Sequence, residues 1–64
     1  MGLRNTRAFA ATHVAAQAAI DAENASPEDT AALTQKAAEK AARAASLGVT
    51  PETIAATTDL RRRR

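Results

Sequence analysis

A chain of 64 residues can form one domain at most, and its apolar core must be small. It contains no cysteine, tryptophan or tyrosine, which excludes disulfide frameworks and thiolate metal sites and argues against recognition of single strands by base stacking. The net charge is +2, but outside the four arginines at 61–64 there are five basic and seven acidic residues, so the basic character lies in a tail at 61–64. We predict a single small helical domain over 1–64 with this basic tail.

The first predicted helix begins at Asn5 or Thr6, because both residues are good N-caps, and it runs to about Glu23. Nineteen residues of the chain are alanine, the strongest helix former. One face of this helix carries Phe9, Ala16 and Ile20, with His13 between them. We expect the side chains of Phe9 and Ile20 to be buried together.

The second predicted helix has Ser26 as its cap and Pro27 at its first position, and it reaches Leu47. Gly48 is predicted to end it, because glycine readily adopts the left-handed conformation that often follows a helix. Leu33 should face the apolar stripe of the first helix. The inner face is predicted to carry small and apolar residues at helical spacing: Leu33, Ala37, Ala41 and Ala44.

Thr50 and Pro51 repeat this start signal and predict a third helix that runs towards Leu60. The loop between the first two helices is so short that they must form an antiparallel hairpin. The predicted fold is therefore all-α, with a long antiparallel helical hairpin and a shorter third helix. Alanine buries little area, so we expect self-association or a protein partner to cover the alanine-rich helix faces.

The sequence offers little catalytic chemistry. His13 is the only histidine, and no carboxylate stands four residues to either side of it. We therefore predict that the protein is not an enzyme and has no metal site and no cofactor. No apolar run approaches the roughly 20 residues that cross a bilayer, so we predict no membrane partner. We expect a cytoplasmic protein or a component of a phage- or plasmid-encoded assembly.

The C-terminal part of the chain resembles the helix-turn-helix family in two alternative alignments. In the first alignment, the Leu-Gly-Val-Thr sequence at 47–50 is the turn, 51–61 is the recognition helix, and Ile54 packs inward. In the second alignment, Ile-Ala-Ala-Thr-Thr-Asp-Leu at 54–60 is similar to the "IAxxTGL" wording of many bacterial regulators. Asp59 then replaces the usual turn glycine, and the arginines stand where a recognition helix begins.

This resemblance implies a small nucleic-acid-associated accessory or regulatory protein that binds duplex DNA or RNA mainly through phosphates. In the first alignment, Thr53 and Thr57 are candidates for the DNA groove. The candidate phosphate contacts are arginines near both ends of the chain: Arg4, Arg7, Arg61, Arg62, Arg63 and Arg64. The alternative function is a non-enzymatic helical interaction subunit or adaptor of a larger assembly, with the alanine faces as its interface.

Overall fold

The computed structural model describes residues 3–63, with side chains from residue 6 onward, and these residues form three helices. The helices are α1 (Leu3–Glu23), α2 (Thr30–Ser46) and α3 (Pro51–Arg62). The first two pack against each other as a helical hairpin, and α3 packs on α1 with few contacts to α2. The predicted all-α class and the order of a long hairpin followed by a shorter helix are confirmed.

The start of α2 differs from the prediction. Residues 27–29 form a turn, and the regular helix begins only at Thr30. The hydroxyl of Ser26 donates to the carboxylate of Asp29 at 3.1 Å instead of capping the helix. The backbone N–H groups of Asp29 and Thr30 both donate to the Ser26 carbonyl, at 2.9 and 3.0 Å. The cap signal therefore marks a turn, and the predicted helix start at Pro27 is wrong by three residues.

The predicted start of α3 is confirmed. Thr50 has an extended backbone, and its side chain accepts a hydrogen bond from the Thr53 backbone N–H at 3.2 Å. Pro51 follows at the first helical position, and Glu52 adds a negative charge in the first turn, near the positive end of the helix dipole. The capping threonine, the proline and the acidic residue therefore all indicate that this helix begins at Pro51.

We expect Thr50→Ala to lower the free energy of unfolding by about 0.5–2 kcal/mol, because it removes the side-chain acceptor of the Thr53 N–H group in the first turn. Urea denaturation followed by circular dichroism measures this loss. Thr50→Ser is the matched control, since serine keeps the hydroxyl and should retain nearly all of the stability. Equal losses in the two variants would show that the hydroxyl does not cap α3.

The end of α2 is a Schellman motif, in which two residues after the helix return hydrogen bonds to its last turn. Gly48 has a φ of +92°, and its N–H donates to the carbonyl of Ala45 at 3.0 Å. The N–H of Val49 donates to the carbonyl of Ala44 at 3.1 Å. The prediction that Gly48 terminates this helix is confirmed.

The core between the helices is built from small side chains. Ala16 and Ala44 are completely buried, with 0% of their surface exposed, and Ala15 retains only 2%. The two buried threonines, Thr12 and Thr58, each donate their hydroxyl at 2.7 Å to the carbonyl four residues earlier. Because an alanine side chain ends at Cβ, the helix backbones can approach closely along this stripe. The predicted place of Ala44 on the inner face is confirmed.

The predicted burial of Phe9 is wrong. Its side chain is 68% exposed, while Ile20 and Leu33 are only half-buried. Completely buried Ala16 comes seven positions after Phe9, so the two residues lie on the same side of α1. Phe9 is therefore exposed because of its place nearer the start of α1 and not because of its face, and its ring lies against the ring of His13 with 4.5 Å between centroids. Phe9→Ala should cost far less than the removal of a core phenylalanine.

Candidate functional site

The predicted arginine tail is partly helix. Arg61 and Arg62 are the last two residues of α3, and Arg63 is its exposed C-cap. Arg64 and the side chain of Arg4 lie outside the described residues. Basic side chains at a helix C-terminus interact favourably with the negative end of the helix dipole. The structure therefore gives Arg61 and Arg62, at the end of α3, a role in the fold that the sequence did not indicate.

Arg61 joins α3 to α1. Its Nε and Nη2 atoms donate to Oε1 of Gln17 at 3.2 and 2.7 Å, and its Nη1 lies 3.1 Å from Nδ1 of His13. A guanidinium group has donors only, so the histidine nitrogen is the acceptor in this contact. Gln17 in turn donates its amide to the Asp21 carboxylate at 2.9 Å. One half-buried arginine is thus held by two side chains of α1.

Arg62 makes the second link between these helices. Its guanidinium forms a two-pronged ion pair with Glu23 at the end of α1, in which Nε donates at 2.9 Å. Its Nη1 donates to the Asp59 carboxylate at 2.6 Å. Hydrogen bonds from Arg62 lower the pKa of Glu23, and the bonds to Glu23 raise the pKa of Arg62. The positive charge of Arg62 is therefore largely balanced by the carboxylates of Glu23 and Asp59.

This ion pair predicts a pH dependence of stability. The folded protein lowers the pKa of Glu23 from its ordinary value of 4.5, so the pair stabilises the fold above that pH, and the contribution is lost as the pH falls through the folded-state pKa. In urea denaturation from about pH 7 to pH 3, the stability difference between wild type and Glu23→Gln should shrink below about pH 4.5. The pair is about half exposed, so added salt should reduce this difference.

Arg62→Gln is the matched control for this experiment, since it removes the partner and leaves the carboxyl in place. In that background, Glu23→Gln should no longer change the pH dependence. Parallel curves for wild type and Glu23→Gln over the whole range would contradict the ion pair.

The two threonines predicted to read the DNA groove are engaged within the first turns of α3. The hydroxyls of Thr53 and Thr50 lie 2.9 Å apart, in the cap of the helix. The hydroxyl of Thr57 donates to the carbonyl of Thr53 at 2.9 Å, and this side chain is half-buried. Both hydroxyls therefore already have local hydrogen-bond partners.

The two helix-turn-helix alignments predict different backbones. The first predicts a turn at 47–50 followed by a helix with Ile54 packed inward; the turn and the helix are present, and Ile54 is half-buried. The second predicts a turn at Asp59, but α3 is continuous from Pro51 to Arg62, so that turn is wrong. The local sequence at 54–60 does not break the helix because it has no glycine where the family wording has one.

A groove runs between α1 and α2, and its lining includes no described residue of α3. It consists of two shallow cavities of about 270 Å³ each, which meet at Val14 and Lys40. We call it the basic groove, because four cationic side chains line it and Asp21 is the one carboxylate among its described lining residues. The four cationic residues are Arg7, Lys36, Lys40 and Arg43.

The lining between the charged groups is apolar. Val14 is 49% exposed in the middle of the groove, and half-buried Leu33 and Leu47 lie towards its ends. The lysines and the arginine of α2 recur at helical spacing, which is a signal visible in the sequence. Their position opposite Arg7 on α1 depends on how the hairpin packs, and the sequence alone did not reveal it.

No family model matches the chain, and neither a curated protein nor a solved structure matches it. Between residues 3 and 63, no helix has both the length and the apolar character needed to cross a bilayer. Among the same residues, no three histidine or acidic side chains converge in a way that could hold a metal ion. The basic groove, an apolar strip flanked by four cations, is the candidate binding site.

Proposed function

We propose that this protein is a non-enzymatic helical interaction module, a subunit or adaptor that holds a protein partner in the basic groove. The observation that carries the proposal is an apolar strip left uncovered between two helices, with half-exposed Val14 at its centre, three cations along α2 and one on α1. Interfaces commonly combine a desolvated apolar centre with a polar rim. A partner would also cover surface that a core built of alanine leaves exposed.

The ion pairs at the end of α3 favour this function over binding through an arginine tail. Arg61 is held by Gln17 and His13, and Arg62 by Glu23 and Asp59. Phosphate contacts by either arginine would have to replace hydrogen bonds that connect α3 to α1. By contrast, the lysines and arginines of the basic groove make no ion pair within the described residues. Their charge is therefore available to a partner.

Nucleic-acid binding is the second candidate function, and the same four cations favour it. Together with exposed Arg63 they could contact the phosphates of duplex DNA or RNA, and the first helix-turn-helix alignment would then place Thr53 and Thr57 near the groove of the duplex. Each neutralised phosphate should contribute about −0.9 to the slope of log affinity against log salt concentration. Either function would suit a cytoplasmic setting or a phage- or plasmid-encoded assembly.

Site-specific photocrosslinking in the cells that produce the protein tests the proposal. A photoreactive amino acid replaces Val14 in the basic groove or, as the matched control, exposed Ala42 on the outer side of α2. We expect protein adducts from position 14 and few from position 42. Adducts with nucleic acid would support the second candidate, and adducts of twice the chain mass would identify self-association. Equal adducts from both positions, or none from position 14, would contradict a binding role for the groove.

A further inference from the structure

We infer that the occupant of the basic groove is an acidic amphipathic α-helix of a partner protein, a conclusion that rests on the proposed interaction function. The first argument is the shape of the groove. It continues from Arg7 to Asp21 along α1, and at 1.5 Å per residue these fourteen positions span about 21 Å. That length matches about four turns of a helix lying alongside α1 and α2. A helix in the groove between two others is a normal packing geometry.

The second argument is the backbone of the groove walls. Both walls are helices, whose N–H and C=O groups are already paired along most of their length. They offer no strand edge to which an extended peptide could add. A bound segment must therefore satisfy its own backbone hydrogen bonds once water is displaced, and a helix does this without help. The small side chains Ala10 and Ala18 in the groove lining allow its close approach.

The third argument is charge. The apolar lining requires an apolar stripe on the partner, while the four cations flanking it require acidic residues beside that stripe. Long lysine and arginine stems can also cover apolar surface while their charges reach the partner's carboxylates. A nucleic-acid backbone would satisfy the cations but would offer no apolar side chains to Val14 and Leu33. A second copy of this chain is a poorer occupant, because its carboxylates stand beside cations. Glu39 lies between Lys36 and Lys40 in the sequence of α2, and Asp59 of α3 pairs with Arg62.

A pair of synthetic peptides tests this inference. The first is an 18-residue amphipathic helix with leucine and alanine on one face and glutamate elsewhere. The second carries lysine in place of every glutamate. Both are stapled identically, so that the helix is already formed before binding. We expect the acidic peptide to bind, with a dissociation constant that rises with salt, and to shift the methyl NMR signals of Val14 and Leu33. The lysine peptide should bind at least about tenfold more weakly.

Charge reversal on the protein provides the complementary measurement. Lys40→Glu combined with Arg43→Glu should weaken binding of the acidic peptide by about tenfold or more. Arg63→Glu, outside the groove, is the control and should change the affinity by less than about twofold. Circular dichroism shows whether each variant folds, and Lys40→Gln with Arg43→Gln replaces the reversed pair if it does not. This milder pair should still weaken binding.

Several results would overturn the inference. These are equal affinity for both peptides, no effect of the groove substitutions, or an acidic-peptide dissociation constant weaker than about 1 mM. A different contrary result would be that the protein binds duplex DNA more tightly than the acidic peptide and loses DNA binding in the same groove variants. That result would show that the cations contact phosphate. Protein adducts from position 14 without peptide binding would leave the interaction function standing and reject only the acidic helix. Failure of both experiments would reject the inference and the proposed function together.

Discussion

Replacing Ala44 by leucine is expected to lower the free energy of unfolding by about 1–3 kcal/mol, and by more if the helices cannot separate. Ala44 is completely buried on the inner face of α2. Three additional carbon atoms have no space there unless the helix backbones move apart. Such a movement would also disturb the neighbouring alanine contacts along the hairpin. Thermal denaturation should show the loss as a fall of about 4–8 °C for each kcal/mol.

Ala42→Leu is the matched control for this experiment. Ala42 lies two positions earlier in the same helix and is exposed. Leucine is nearly as good a helix former as alanine, so the change itself should cost only a few tenths of a kcal/mol. The two variants therefore differ mainly in where the added atoms lie. Equal melting temperatures would contradict close packing of alanine as the basis of the α1–α2 contact.

The second large effect is expected from Gly48→Ala, which should cost about 1–2 kcal/mol. The φ of +92° at Gly48 is unfavourable for a residue with an L-side chain. A Cβ atom built at this position would meet no atom within 4 Å, so steric contact with the rest of the protein adds nothing. The cost therefore comes from the backbone alone. Urea denaturation of the two proteins measures it.

A D-alanine at position 48 separates this explanation from others. D-residues prefer positive φ, so a D-alanine suits the φ of +92° at this position. Chemical synthesis can supply both proteins because the chain has 64 residues. The D-alanine protein should match the wild type or gain about 0.4–1 kcal/mol, since its unfolded chain has less freedom than one with glycine. Equal destabilisation by both alanines would contradict the backbone explanation.

Local signals predicted the helix ends with uneven success. The cap at Thr50 and the glycine at 48 act through neighbouring backbone groups, so a few residues suffice to predict them. The similar sequence at Ser26 and Pro27 predicted a helix three residues too early. There the nearby carboxylate of Asp29 engages the serine hydroxyl. A hydroxyl residue followed by proline therefore gives different results when an acid three positions later engages its side chain.

Packing between helices was harder to predict, because alanine occurs on every side of α1 and α2. Periodicity then finds several possible inner faces, and the prediction chose the face with the largest residue, Phe9. The structure buries Ala16 of that face, together with Ala11, Thr12 and Ala15 beside it, and leaves Phe9 exposed. Close helix approach favours small side chains there, whereas hydrophobicity alone favours large ones.

The candidate site depended on contacts between distant parts of the sequence. Arg61 reaches Gln17 and Arg62 reaches Glu23, across 44 and 39 sequence positions. Four consecutive arginines predict a solvated tail when no partner for them can be identified in the sequence. Likewise, the cations of α2 are visible as a pattern, but their meeting with Arg7 around an apolar strip is a property of the hairpin.

The docking of α3 on one helix has a consequence for native-state hydrogen exchange. Its contacts to α2 are few, and the links at its C-terminal end are polar side chains that are only partly buried. Detaching it would leave the α1–α2 hairpin and most of its alanine contacts in place. Sub-global opening of α3 should therefore require less free energy than global unfolding, and its amide protons should exchange before those in the middle of the hairpin. The protein then behaves as two cooperative units within 64 residues, a durable hairpin and a helix that detaches more readily.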